Sequence, residues 1–441
     1  MPGTLSPDSA VSAPAPTPPS APSGSVRRRA VLALVGVILV GLNLRIGITS
    51  ASALFHELQH ALGYGAFIAS LLPTIPTLCF AVAGLAANAL IRRLGVENTL
   101  VLALVLLSGG LALRGIPSTA ALLVGTVIAM SGLAICNISM PVLVRQDHAH
   151  RTSFVTGMYT VMMTVGSTSA ATFSVPLGHA LGSPSAGLAA WSGAAIVGLL
   201  GLVPLALSSR GIRASIPGGG APAERHGVLA SLKSRKAVLI TIVFSAQGFL
   251  AYAAMSWFAY ILSDSGMDAA QSGVIFGISQ FVSLFAGMFF LTLGSRNGAR
   301  PWALAIPAAS MALGMLLLLV APVGTALISA VLLGLGLGVF PPILAIISQS
   351  GSTAAETTAL STAAQSIGYL FSALGPLSIG LLHGLTGSWV LPLSVAVVVS
   401  LLLLATGFRL GTIHRGHGPR VVIASHEAKR ESPLHDGGKQ D

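Results

Sequence analysis

Apolar residues in this chain neither alternate nor form narrow stripes; they run. Twelve stretches of roughly 20 residues are apolar around their whole circumference, long enough to cross a hydrocarbon core of about 30 Å. They fall at about 30–53, 65–91, 99–115, 119–144, 153–178, 187–208, 237–262, 271–294, 301–321, 324–348, 358–382 and 388–408. A segment in lipid must satisfy its own backbone hydrogen bonds, so each run predicts a helix. Gly and Pro are frequent (51 and 25), yet membrane helices tolerate both because neighbours re-satisfy the freed groups. The prediction is an all-α integral membrane protein.

Composition agrees. Charged residues make up 8% of the chain, against about 25% in soluble domains. Arg27-Arg28-Arg29 before an apolar run imitates a signal peptide. The run is too long and eleven more follow, so a retained first helix is expected. An even number of spans puts both termini on one side. Almost every loop and tail cation falls there, Arg114 being the exception, which predicts cytoplasmic termini. The net charge of +11 is thus an orientation signal. It does not point to nucleic acid, because no basic patch is interleaved with exposed aromatics. Cys79 and Cys136 fall inside spans and suggest small hydrophobes, not a disulfide framework or a metal site. No cofactor motif is present.

The spans divide six and six. An Ala/Pro/Ser-rich tail, 1–26, is expected to be disordered. A first bundle covers 27–208, a basic loop 209–236, a second bundle 237–408, and a tail 409–441. The halves echo each other: AVLALVGVILVGLNLRIG from Ala30 resembles AVLITIVFSAQGFLAYAA from Ala237. In that alignment Gly41 meets Gly248 and Arg45 meets Tyr252. Weak internal symmetry of this kind marks transporters with a midplane site between repeats.

Arg45 is the chemically informative residue. A charge at that depth costs several kcal/mol and is usually functional. None of the twelve acids, which include Glu57, Glu97, Asp147 and Asp264, falls inside a predicted span. Two readings stay open: Arg45 awaits a negative or electron-rich group on a substrate, or it is a structural pin bonded to backbone carbonyls. Thr49 shares its helix face, and Asn43 projects from a neighbouring direction. Gln247, Tyr252 and Trp257 in span 7, and Gln365 and Tyr369 in span 11, are the other candidate binding groups, with Gln280 an extra amide in span 8. Arg offers a planar fork of donors suited to carboxylate-like groups. The amides would add hydrogen bonds and the aromatics flat walls. Each polar residue has a plainer reading as a bridge between helices, and Trp257 one as an interfacial anchor.

Four motifs, GLNLR at Gly41–Arg45, CNISMPVLVRQD at Cys136–Asp147, TGMY at Thr156–Tyr159 and AQSIGYLFSALGPLSIGLLHGLTGSW at Ala364–Trp389, stand out. Together they resemble the cyanate permease and 2-nitroimidazole transporter family of the major facilitator superfamily, which suggests a nitro- or cyanate-type group as a partner for the Arg45 fork. The resemblance implies twelve transmembrane helices in two pseudo-symmetric six-helix bundles. It also implies alternating access to a central site. The superfamily's loop 2–3 motif would map to Gly84, Asn88, Arg92, Arg93 and Gly95, a gating element; Asn88 stands where an acid is usual. A remnant, Gly294–Gly298, lies in loop 8–9, and Gly384 replaces an acid after His383.

The expectation is a monomeric cell-membrane carrier of a small anionic or polar solute, with no midplane carboxylate or imidazole to relay a proton. A coupling proton would then ride on the substrate or on an edge group such as His179 or His383. The alternative is a drug or metabolite exporter of the same superfamily. A membrane enzyme is disfavoured: the chain has no HExxH, paired carboxylates or nucleotide loop.

Overall fold

The computed structural model describes residues 24–148, 151–208, 234–296, 298–350 and 354–413. Most of the predicted tails and of the central loop therefore lies outside the described residues. Sixteen helices and, among the described residues, no strand make up the structure. They occupy all twelve predicted positions. Span 1 is α1 (Gly24–Asn43) with α2 (Ile46–Leu62), and span 2 is α3 (Ala66–Leu71) with α4 (Ile75–Leu94). Spans 3 to 5 are α5 (Val96–Leu113), α6 (Thr119–Asp147) and α7 (Thr152–Ala180). Span 6 is α8 (Pro184–Ala190) with α9 (Ser192–Ser208). Spans 7 to 9 are α10 (Arg235–Asp264), α11 (Ala269–Ser295) and α12 (Arg300–Val320). Span 10 is α13 (Ala326–Leu337) with α14 (Phe340–Ser348), followed by α15 (Ala354–Thr386) and α16 (Val390–Ile413). Ten of these positions are long and apolar enough to cross a membrane. The other two are span 2, interrupted at 72–74, and the more polar α7.

The internal symmetry is visible in the packing. Span 1 packs on spans 5 and 6, span 3 on spans 4 and 6, and span 2 on span 4. The same five pairings recur one half later: span 7 on 11 and 12, span 9 on 10 and 12, span 8 on 10. Glycines permit the close approaches. A Cβ on Gly166 of α7 would collide with the Leu42 carbonyl at the end of α1.

Between the halves, α2 rather than α1 packs on α10 and α11; α7 packs on α11, and α3 and α4 on α15. The seam is therefore tightest at the end away from the termini. There Tyr260 Oη donates to Gln59 Oε1 at 2.8 Å, and Trp257, Tyr260, His383 and Trp389 form a ring cluster.

Two expectations about charge change. Several helices outrun the predicted spans, so Glu97 and Asp147 sit on helix ends instead of in solvated loops. Arg29 at the terminal-side end of α1 holds both, with Nη2 2.5 Å from Glu97 Oε1 and Nε 2.6 Å from Asp147 Oδ1. Arg114 does not decorate the opposite surface: it turns inward and is 1% exposed.

Candidate functional site

Span 1 breaks where its polar residues cluster. Leu44 and Arg45 form a turn between α1 and α2. The Asn43 amide nitrogen donates to Leu39 O at 2.9 Å and to Ala194 O on α9 at 3.0 Å. Thr49 Oγ1 donates to Arg45 O at 2.9 Å. Both side chains are sealed, at 1% and 0% exposure. They brace the break and do not face an open space. Arg45 is thereby left as the N-cap residue of α2, where the positive end of the helix dipole adds to its own charge.

The Arg45 side chain is only half-buried. A guanidinium carries five N–H donors. The one acceptor it meets among the described residues is Met255 Sδ, 3.8 Å from Nη1. No carboxylate pairs with it there. Tyr252 of α10 and Tyr369 of α15 stand within electrostatic reach of Arg45. Both phenols are half-buried. The Tyr369 ring leans edge-on against Phe244, centroids 5.4 Å apart.

One cation from the first half thus faces two phenols from the second. Arg45 and Tyr252, the pair aligned by the internal repeat, are within that electrostatic reach of each other. Gln247 lies five residues before Tyr252 on the same helix, and its amide has no hydrogen-bond partner among the described residues. Gln365 is half-buried and bonds within α15, Nε2 to Ser361 Oγ at 2.7 Å.

Trp257 is placed elsewhere. It is 2% exposed and donates from Nε1 to Pro376 O on α15 at 2.9 Å. It is a strut between spans 7 and 11 in the far-side ring cluster, neither a wall of the Arg45 group nor a lipid anchor. Of the loop 2–3 residues, Arg92 and Arg93 are exposed in the last turn of α4, where the helix dipole favours cations. Gly95 closes that helix with φ +82°. Gly84 and Asn88 lie on α4, and the Asn88 side chain falls outside the described residues.

Arg114 is the residue that the sequence reading missed as an interior group. Its Nη1 donates to Gly47 O at 2.8 Å, two residues beyond Arg45. Its position at the end of an apolar run gave no signal to separate it from an ordinary loop cation.

The pattern of the Major Facilitator Superfamily matches residues 33–376. The chain is 30% identical over 402 residues to the "Uncharacterized transporter YycB" of Bacillus subtilis (strain 168), covering 90% of this chain and 96% of that protein. It is 29% identical over 391 residues to the 2-nitroimidazole transporter of Escherichia coli (strain K12), 88% and 97% of the two chains. Among solved structures, a bacterial homologue of the human lysosomal transporter Spinster, inward-facing and unoccupied, matches with a TM-score of 0.72 at 14% identity. That match covers 90% of this chain and all of the other. The nucleoside transporter NupG matches with a TM-score of 0.67 at 13% identity, covering 87% and 99%. These structures share the fold. The chain belongs to the Major Facilitator Superfamily and is a multi-pass membrane transporter of small molecules.

Proposed function

We propose that this transporter carries a small solute with a negative or electron-rich end, of cyanate, nitroimidazole or carboxylate type, by alternating access. The observation that carries the reading is Arg45: a half-buried guanidinium at a helix break whose one acceptor among the described residues is a thioether sulfur. Arg45 would take the electron-rich end through its planar fork. Tyr252 and Tyr369 would offer hydroxyls and ring faces, and Gln247 and Gln365 amides. Asn43 and Thr49 would act at one remove, by holding the break that presents Arg45.

The terminal side is read as cytoplasmic, on the cations gathered there. With the seam tight at the far end, the arrangement is then inward-facing. Arg92, Arg93 and Gly95, with Gly84 and Asn88, are read as the element that biases the two states. Among the described residues the Arg45 group contains no carboxylate or imidazole. That supports uniport, exchange or a proton carried on the solute over a central relay. A monomer suffices, since both halves of the site come from one chain.

The test is uptake by reconstituted proteoliposomes, offered cyanate, 2-nitroimidazole, small carboxylates and cationic drugs in turn. Saturable uptake of one of the first three, abolished by Arg45→Ala, is expected. Uptake confined to cationic drugs and indifferent to Arg45 would support an exporter of lipophilic compounds instead.

A further inference from the structure

Arg114 poses a question that the Arg45 site does not answer. It is the C-cap residue of α5 and lies within the protein at the far-end seam. One of its donors reaches Gly47 O, while Nε has no acceptor among the described residues. The carbonyl end of α5 meets part of the charge. Leaving the rest of a buried guanidinium unmatched is costly.

Beside it is a cavity of about 10 Å³, about the room that one water-sized particle needs. Its polar rim comes from Arg114, Ser52, Thr126 and Ser256, and apolar walls such as Phe55 and Leu72 complete it. The Ser52 and Thr126 hydroxyl protons are committed to Ile48 O and Leu122 O in their own helices. Ser256, on α10 of the other half, has no hydrogen-bond partner among the described residues. Ser52 and Thr126 are thereby left as acceptors, and the uncommitted donors are the guanidinium and one hydroxyl; it is the unmatched positive charge of Arg114 that favours an anion over a cation.

We propose that this cavity binds one small monovalent inorganic anion of chloride size, held by Arg114 and Ser256. The anion neutralises a buried cation. Because its two ligands come from opposite halves, it also ties α5 to α10 and favours the state in which the halves meet at this end. The site is separate from the Arg45 group and does not depend on what Arg45 binds.

The experiment melts the purified full-length protein in sodium chloride and in sodium gluconate at equal ionic strength. A ligand of the folded state raises the melting temperature with concentration. The expected result is a saturable rise with chloride and none with gluconate. The rise is abolished in Arg114→Met and retained in Arg45→Ala. In Ser256→Ala the half-saturating chloride concentration increases roughly tenfold, as for loss of one hydrogen bond to a charged group. Equal melting in the two salts would overturn the proposal and leave water beside Arg114. A chloride effect unchanged in Ser256→Ala would overturn it as well. If Arg114→Met fails to fold, crystals grown with bromide decide: an anomalous peak at Arg114 Nε supports the site, and its absence rejects it.

Discussion

Two arginines within this membrane domain lack a carboxylate partner among the described residues, and their surroundings differ. Arg114 is fully enclosed, stems from the end of a helix and is tied to the Gly47 carbonyl. Arg45 is half-buried, stands at a break in its helix and meets only a sulfur at 3.8 Å. Each guanidinium engages one acceptor among the described residues, so the contrast lies in its kind and setting: a backbone carbonyl in an enclosed site for Arg114, a weak thioether acceptor at a half-buried one for Arg45.

Exchanging each arginine for alanine sharpens that contrast. In Arg45→Ala, transport falls by about 100-fold or more, because charge-assisted hydrogen bonds are worth ~1.5–3 kcal/mol each. The melting temperature of this variant moves little. Arg45→Lys restores the charge without the fork and recovers part of the rate. Arg114→Ala behaves in the opposite sense: denaturation shows a loss of about 1.5–3 kcal/mol, the worth of a hydrogen bond from a charged donor, with transport reduced in step. If both variants lose stability equally, the contrast is broken.

The break that presents Arg45 can be attacked from outside. Gly166→Ala forces a Cβ into the Leu42 carbonyl, an overpacking that costs about 1–3 kcal/mol. Reduced thermal stability and reduced transport are both expected. Smaller effects come from the second half. Tyr252→Phe and Tyr369→Phe each weaken solute affinity by roughly 2–10-fold, the worth of a single neutral hydrogen bond, and leave melting unchanged. Trp257→Phe removes the bond to Pro376 O and lowers stability by about 1 kcal/mol. It leaves solute affinity intact, which uptake kinetics would show.

The architecture was legible because lipid enforces it. An apolar run of span length has few alternatives to a helix, and helices stand at all twelve predicted positions. Arg45 was legible because its sequence neighbours are apolar. What failed was information held by the partner helix. Asn43 and Trp257 look like available polar groups, yet the carbonyls that engage them, Ala194 O and Pro376 O, are 151 and 119 residues away. At the break at 44–45, Gly166 approaches Leu42 O and the Asn43 and Thr49 side chains bond the backbone, features that hydropathy does not record. Arg114, Glu97 and Asp147 looked like surface charges because they end apolar runs. Helices that continue past those runs carry Glu97 and Asp147 inward, whereas Arg114 follows the last residue of α5 and turns in to reach Gly47 O. The repeat predicted that Arg45 and Tyr252 are equivalent, but not that Gly41 packs on Tyr159 while Gly248 packs on Ser372.

The central claim is that Arg45 is a solute ligand. Its most direct test is equilibrium binding, by calorimetry on purified protein, of whichever cyanate-, nitro- or carboxylate-type solute the proteoliposomes take up. Wild type, Arg45→Lys and Arg45→Ala would be compared at matched melting temperature. The account predicts binding that weakens in Arg45→Lys and disappears in Arg45→Ala. Unchanged affinity in a folded Arg45→Ala protein would contradict it and make Arg45 a second brace.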